Sequence, residues 1–129
     1  MTKLSCLAVF GTIALLTARV AGAQQAAALP EGVTTAMIEA GGKLFKGSAL
    51  CAACHGPEGK GAVGPNLTDT LWLHSTGTYD EIVRQITEGV PQAKAKGGIM
   101  MPPRGGSGIS DEQVRAVAAY VWTLSHGRK

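Results

Sequence analysis

Apolar residues return at helical spacing in three stretches of the chain, and no run alternates with polar residues as a half-buried strand would. The last stretch is the most regular. Val114, Val117, Ala118, Val121, Trp122 and Leu124 form one stripe at helical spacing. Ser110 precedes it as an N-cap with Gln113 three residues on, the spacing of a capping box, and Ile109 and Val114 are placed to act as a hydrophobic staple. This helix is expected to fray near His126-Gly127. A second helix is predicted over Tyr79 to Glu88, with Ile82, Val83 and Ile86 inward, Thr78 as N-cap, Glu81 completing a capping box and Gly89 just past the end. A first helix runs from a cap at Thr34 or Thr35 to about Lys46, with Met37, Ile38, Leu44 and Phe45 as its apolar positions. Gly41 and Gly42 lie in its middle. Each costs about 1 kcal/mol against Ala, which marks either a close approach by another backbone or a break in the helix.

Between the helices, residues 56–76 and 90–108 are rich in Gly and Pro. The pattern is that of a small all-α domain whose loops are too long for a simple bundle and need something to pack on. Composition sharpens this. Only 5% of the 129 residues are aromatic and 16% charged, so the core is thin. There are too few charges for a disordered polyelectrolyte, no long basic run for nucleic acid, and no uninterrupted apolar stretch of about 18–20 residues for a mature membrane span. The three cysteines exclude a fully paired disulfide framework.

Residues 1–23 change these figures. Lys3, the apolar run from Leu4 to Leu16 and the small residues Ala21-Gly22-Ala23 have the layout of a secretory signal peptide, cleaved near Ala23; a retained anchor is the rival, against which Arg19 interrupts the run. Cleavage discards Cys6, Lys3 and Arg19 and lowers the formal charge from +3 to +1. It also places the protein in the periplasm, an oxidising compartment. Residues 24–33 read as a flexible leader and 128–129 as a tail, leaving 34–127 as the folded domain.

The chemistry sits in Cys51-Ala52-Ala53-Cys54-His55, the C-x-x-C-H signal for covalent attachment of c-type haem. On one helical turn the two thiols and the imidazole share a face, so the thiols can reach two vinyl groups of a porphyrin while the imidazole points at its iron. A redox dithiol also uses C-x-x-C but needs a βαβ setting, and a structural zinc site needs four ligands in closed geometry. An electron-transfer haem takes a sixth ligand. Met37, Met100, Met101, His74 and His126 are the candidates; Met101 opens Met-Pro-Pro, where two prolines stiffen the backbone, while Met37 reads as core and the two histidines as surface. A ligating imidazole needs an acceptor for its other N–H, and the carbonyl of Pro65 in Gly64-Pro65-Asn66-Leu67 can serve, unless that stretch is only a turn.

Gly41 to Phe45, CAACH at 51–55, GPNL at 64–67, MPP at 101–103 and the closing helix with Tyr120 and Trp122 occur in this order. Together they make the chain resemble a single-haem class I cytochrome c of the soluble bacterial type, and it is similar also to the cytochrome c domains of haem–copper oxidases. The resemblance covers about residues 36–126. It implies three to five helices wrapped around one haem c held through Cys51 and Cys54, with His55 and Met101 as axial ligands. It further implies that Pro65 supplies the acceptor for His55, that Leu67 and Trp72 lie in the haem pocket, and that the first and last helices cross near Gly41, Phe45 and Tyr120. The interval from Phe45 to Cys51 is longer than the family's usual one.

The function expected on these grounds is that of a periplasmic one-electron carrier between respiratory or dehydrogenase partners, not an enzyme. The alternatives are a cytochrome subunit of a dehydrogenase or oxidase complex, or a haem peroxidase or gas-binding protein with a labile methionine. Redox proteins are the expected partners, with no nucleic acid and no membrane span after cleavage, and the protein is expected to be a monomer or one subunit of a redox complex. Lys43, Lys46, Lys60, Lys94, Lys96 and Arg104 can form a basic rim that steers an acidic partner, or an ordinary solvated surface.

Overall fold

The computed structural model describes residues 28–127. Residues 1–27, which hold the expected signal segment 1–23 and the first part of the expected leader, and residues 128–129, the expected tail, lie outside the described residues. Of the leader, residues 28–33 are described; its last residue, Val33, is buried and its N–H donates to the Pro30 carbonyl at 3.0 Å.

Four α-helices follow: α1 Thr35–Lys46, α2 Cys51–His55, α3 Tyr79–Glu88 and α4 Asp111–His126. Two 3-10 turns, Gln92–Lys94 and Pro103–Gly106, interrupt the second long loop. Among the described residues there is no strand, only an isolated antiparallel bridge between Val90 and Met101.

The glycines of α1 explain its packing. Helices α1 and α4 cross where Gly41 lies against the Ala116 carbonyl, and a Cβ on Gly41 would run into that backbone. A Cβ on Gly42 would come within 3.2 Å of the Tyr120 ring. Phe45, fully buried one turn on, meets Tyr120 with ring centroids 5.3 Å apart. The two glycines therefore permit a close helix crossing and do not break α1, whose cap is Thr34, its hydroxyl accepting from the Met37 N–H at 3.2 Å.

Helix α4 has the predicted capping box: the Ser110 hydroxyl accepts from the Gln113 N–H at 3.2 Å, and the Gln113 side chain accepts from the Ser110 N–H at 2.9 Å. Ala116 and Ala119 are buried as well as the predicted stripe, because α4 is covered by α1 and α3 and needs a wider apolar arc. Leu124 is only half-buried and rests on Gly59.

At α3 the structure corrects the expected cap. The Thr78 side chain caps nothing. The Glu81 carboxylate instead reaches back to Thr76, accepting from its N–H at 2.7 Å and from its hydroxyl. Two donors on one residue outcompete the single N–H that the box would have offered.

The long interval before Cys51 is taken up by a compact turn. The Gly47 and Ala49 N–H groups both donate to the Leu44 carbonyl at 3.0 Å, Ala49 is fully buried, and Leu50 adopts a left-handed conformation with φ of 59° immediately before α2. Residues 56–67 then fold back over α2: the Gly61 N–H donates to the His55 carbonyl and the Gly64 N–H to the Cys54 carbonyl, both at 2.8 Å.

Candidate cofactor site

Helix α2 is a single helical turn, and it carries both cysteines and His55. Cys51 is buried, with its thiol 3.4 Å from the Ala49 carbonyl, and Cys54 is exposed; neither is disulfide-bonded. Burial pushes the Cys51 thiol up to about 11. It is protonated at neutral pH and lacks the thiolate character of a redox dithiol. Among the described residues no group of three or more His, Cys, Asp or Glu side chains could hold a metal ion, so a closed zinc site has no ligand set there.

His55 is oriented from the other side. Its Nδ1 lies 2.9 Å from the Pro65 carbonyl oxygen. A carbonyl can only accept, so Nδ1 is the donor, and in the neutral imidazole this leaves Nε2 with the free lone pair. Gly64 makes room for this arrangement, since a Cβ there would stand 3.1 and 3.2 Å from ring atoms of His55.

These groups open onto a cleft enclosing about 1080 Å³, part of it open to solvent. Cys51, Cys54 and His55 form one side. Pro65, Leu67 and Trp72 border it from the first long loop, and Met101 from the second. Helices α3 and α4 contribute Ile82, Ile86, Val117 and Val121. All seven residues singled out in the sequence thus meet on one cavity.

The alternatives to Met101 separate in space. Met101 is half-buried, and its backbone is pinned by the Val90 bridge, N–H to O at 2.9 and 2.8 Å. Met100 also borders the cleft but is 47% exposed. Met37 lies away from it on α1, half-buried beside Tyr79, Glu112 and Arg115. His126 stacks on Trp122 at 4.4 Å and does not reach it. His74, read as a surface residue, is half-buried and borders the cleft.

Sequence reasoning missed Gln85. It sits between Ile82 and Ile86 on the cleft side of α3, and its Oε1 is buried with no hydrogen-bond partner. Its i+3 spacing from Ile82 was the available signal. A buried amide oxygen without a partner calls for one, and an occupant of the cleft that Gln85 borders is placed to supply it. The basic rim is thinner than the sequence allowed. Lys96 alone of those cations borders the cleft, Lys60 pairs with Glu58 at 3.4 Å, and Arg104 is bound within the fold.

An apolar slot, two thiols on one helical turn, an imidazole with a free Nε2 and a thioether on the far loop fit a flat macrocycle with a central iron. A zinc ion would leave the apolar walls and the orphan amide unexplained.

Known proteins agree in kind. A family model described as cytochrome c oxidase, cbb3-type, subunit III, matches residues 36–121. The cbb3-type cytochrome c oxidase subunit CcoP of Rubrivivax gelatinosus is 48% identical over 83 residues, which are 60% of this chain and 23% of that protein. The corresponding subunit FixP of Azorhizobium caulinodans is 37% identical over 97 residues, 73% of this chain and 29% of that one. The chain thus spans less than a third of the length of these relatives. Among solved structures, cytochrome cL of Methylophaga aminisulfidivorans superimposes with a TM-score of 0.54 at 22% identity, covering 69% of this chain and 53% of that one, a likeness of fold alone. Cytochrome cL of Hyphomicrobium denitrificans gives 0.51 at 26% identity, over 66% and 45%.

Proposed function

Since the chain belongs to the family of cytochrome c oxidase, cbb3-type, subunit III, and has the fold of a c-type cytochrome, we propose that it is a haem-c electron-transfer domain that feeds single electrons to a terminal oxidase. One haem c would be held through Cys51 and Cys54, with His55 and Met101 as the residues that would ligate its iron. The observation that carries this reading is the convergence of the α2 face, the Pro65-tethered imidazole and Met101 on one apolar cleft.

When bound, the haem supplies a one-electron ferric/ferrous couple. The chain's own residues do the rest. Pro65 fixes the tautomer and the ring direction of His55, which leaves Nε2 to the iron. The Val90 bridge fixes the backbone of Met101, and Pro102 stiffens the next residue. Leu67, Trp72, Ile82, Ile86, Val117 and Val121 keep water from the pocket. With both His55 and Met101 as ligands, the iron would have no position left for a substrate, as a carrier requires and a peroxidase does not.

The sequence pointed first to a free carrier, with an oxidase subunit as its alternative. Family membership favours the alternative. Export to the periplasm belongs to the same proposal and is supported by the layout of residues 1–23. The test is to fractionate cells expressing the tagged protein. Haem-stained protein that co-purifies with oxidase activity supports the reading; haem protein found wholly in the soluble periplasmic fraction, without oxidase, returns it to the free carrier.

A further inference from the structure

We propose that Arg104 is the positioning residue that keeps Met101 in the cofactor site, by latching the methionine-bearing loop to the start of α4. This rests on the reading of Met101 as the iron's sixth ligand. The two sides of Met101 are held differently. On its N-terminal side the Val90 bridge fixes the backbone. On its C-terminal side runs a short turn in which Arg104 (φ 54°, ψ 28°) and Gly105 (φ 66°, ψ 16°) are both left-handed. That conformation suits glycine but strains an arginine, and such strain persists only where surrounding bonds over-determine it.

The bonds are present. Arg104 Nη1 donates to the Ile109 carbonyl at 2.7 Å, and Nη2 donates to Asp111 Oδ1 at 2.5 Å. The Arg104 carbonyl accepts from the Ser107 hydroxyl at 2.6 Å and from the Ser107 N–H at 3.1 Å. Ile109 is buried in the core, and Asp111 is the first residue of α4. One guanidinium fork therefore ties the loop to the buried residue before α4 and to the helix itself. Its side chain is only 30% exposed, whereas that of Asp111 is 71% exposed, so the carbonyl arm is the better shielded of the two. Gly105 completes the brace by lying against the Ala49 carbonyl, beside the turn that leads into Cys51.

Local openings of a fold release its least-tied segments first. Swinging Met101 out of the cleft while α1, α3 and α4 stay folded breaks the Val90 bridge and pulls on the turn that the Arg104 bonds hold. Arg104 thus controls how readily an outside ligand can take the methionine's place. A lysine cannot replace it, because a single ammonium lacks the fork that serves two diverging acceptors.

The test titrates ferric holoprotein with imidazole and follows loss of the iron–sulfur charge-transfer band, with thermal unfolding measured in parallel. Four proteins are compared: wild type, Arg104→Gln, Arg104→Lys and Arg104→Gly. The glycine variant removes the guanidinium while relieving the left-handed strain, so it folds even if the glutamine variant does not. All three variants are expected to keep the band without imidazole. Glutamine and glycine should bind imidazole about ten-fold more tightly than wild type, with lysine in between and unfolding midpoints little changed. Imidazole affinity within two-fold of wild type in the glycine variant overturns the latch. So does a gain in affinity that merely follows a fall in unfolding midpoint across the three variants. A wild-type ferric spectrum with no such band overturns the methionine reading and the latch with it.

Discussion

His55 shows how little side-chain chemistry orients a candidate ligand and how much its neighbours do. The Pro65 carbonyl takes one ring nitrogen at 2.9 Å and so dictates which nitrogen is free. Gly64 leaves the ring its room, because a Cβ there would press on it at 3.1–3.2 Å. Gly64→Ala should displace the imidazole and weaken its bond to Pro65. A ligand with a weaker acceptor behind it is less basic and stabilises ferric iron less. The reduction potential should rise by on the order of tens of millivolts in a redox titration, where about 59 mV is ten-fold for one electron; an unchanged potential would count against the role given to Pro65. At this scale the sequence was informative wherever spacing alone carries meaning. C-x-x-C-H, G-P-N-L and M-P-P pointed to six residues, the family resemblance added Trp72, and the structure gathers all seven around one cleft. It read His74 as a surface residue, where the structure has it half-buried at the cleft, and it was silent on Gln85 and the bonds of Arg104. Where these side chains point depends on non-periodic loop backbone or on a polar residue's register within an otherwise apolar helix face.

Periodicity located α1, α3 and α4, and the glycines of α1 drew attention because they cost helix stability. Gly41→Ala is the sharpest element-scale test. Its Cβ would meet the Ala116 backbone carbonyl, which cannot rotate away as a side chain could. The substitution should cost about 1–3 kcal/mol in chemical denaturation of the holoprotein, and a neutral result would mean that α1 and α4 do not cross at that point. What the pattern misjudged was the start of α3, where Glu81 leaves the cap for Thr76. That choice has a pH signature. The Thr76 hydroxyl, and then its N–H, hold the Glu81 carboxyl below its ordinary value near 4.5. A folded-state pKa that is lowered gives stability that is present above the unfolded value and lost as pH falls through the folded one. Glu81→Gln should therefore melt below wild type at neutral pH, with the gap closing as the pH drops below about 4.5. A gap that stays constant with pH would show that the ionised carboxylate contributes nothing. The effect is small, since the group faces solvent.

On the scale of the whole molecule, the shortage of aromatics and the cleft of about 1080 Å³ are one fact seen twice. The helices are arranged around the space in which a larger hydrophobic core would sit. A domain this size has little apolar surface to spare, so the protein should be largely unfolded without its haem. Far-ultraviolet circular dichroism and amide dispersion of haem-free protein check this, and a stable, cooperatively folded apoprotein would contradict the account of the core. Fold class was legible in the sequence because helical periodicity is local. The choice between a free carrier and an oxidase-linked domain was not, because it depends on partners that no spacing in the chain encodes.

The central claim is that His55 and Met101 together close the iron to substrate, so that the domain carries electrons and performs no chemistry of its own. The most direct measurement is the optical spectrum of the purified ferric protein beside that of Met101→Ala. The account predicts a low-spin wild type with an iron–sulfur charge-transfer band that vanishes in the variant. A high-spin ferric wild type, or a band that survives in Met101→Ala, would contradict it, the second result passing the role to Met100.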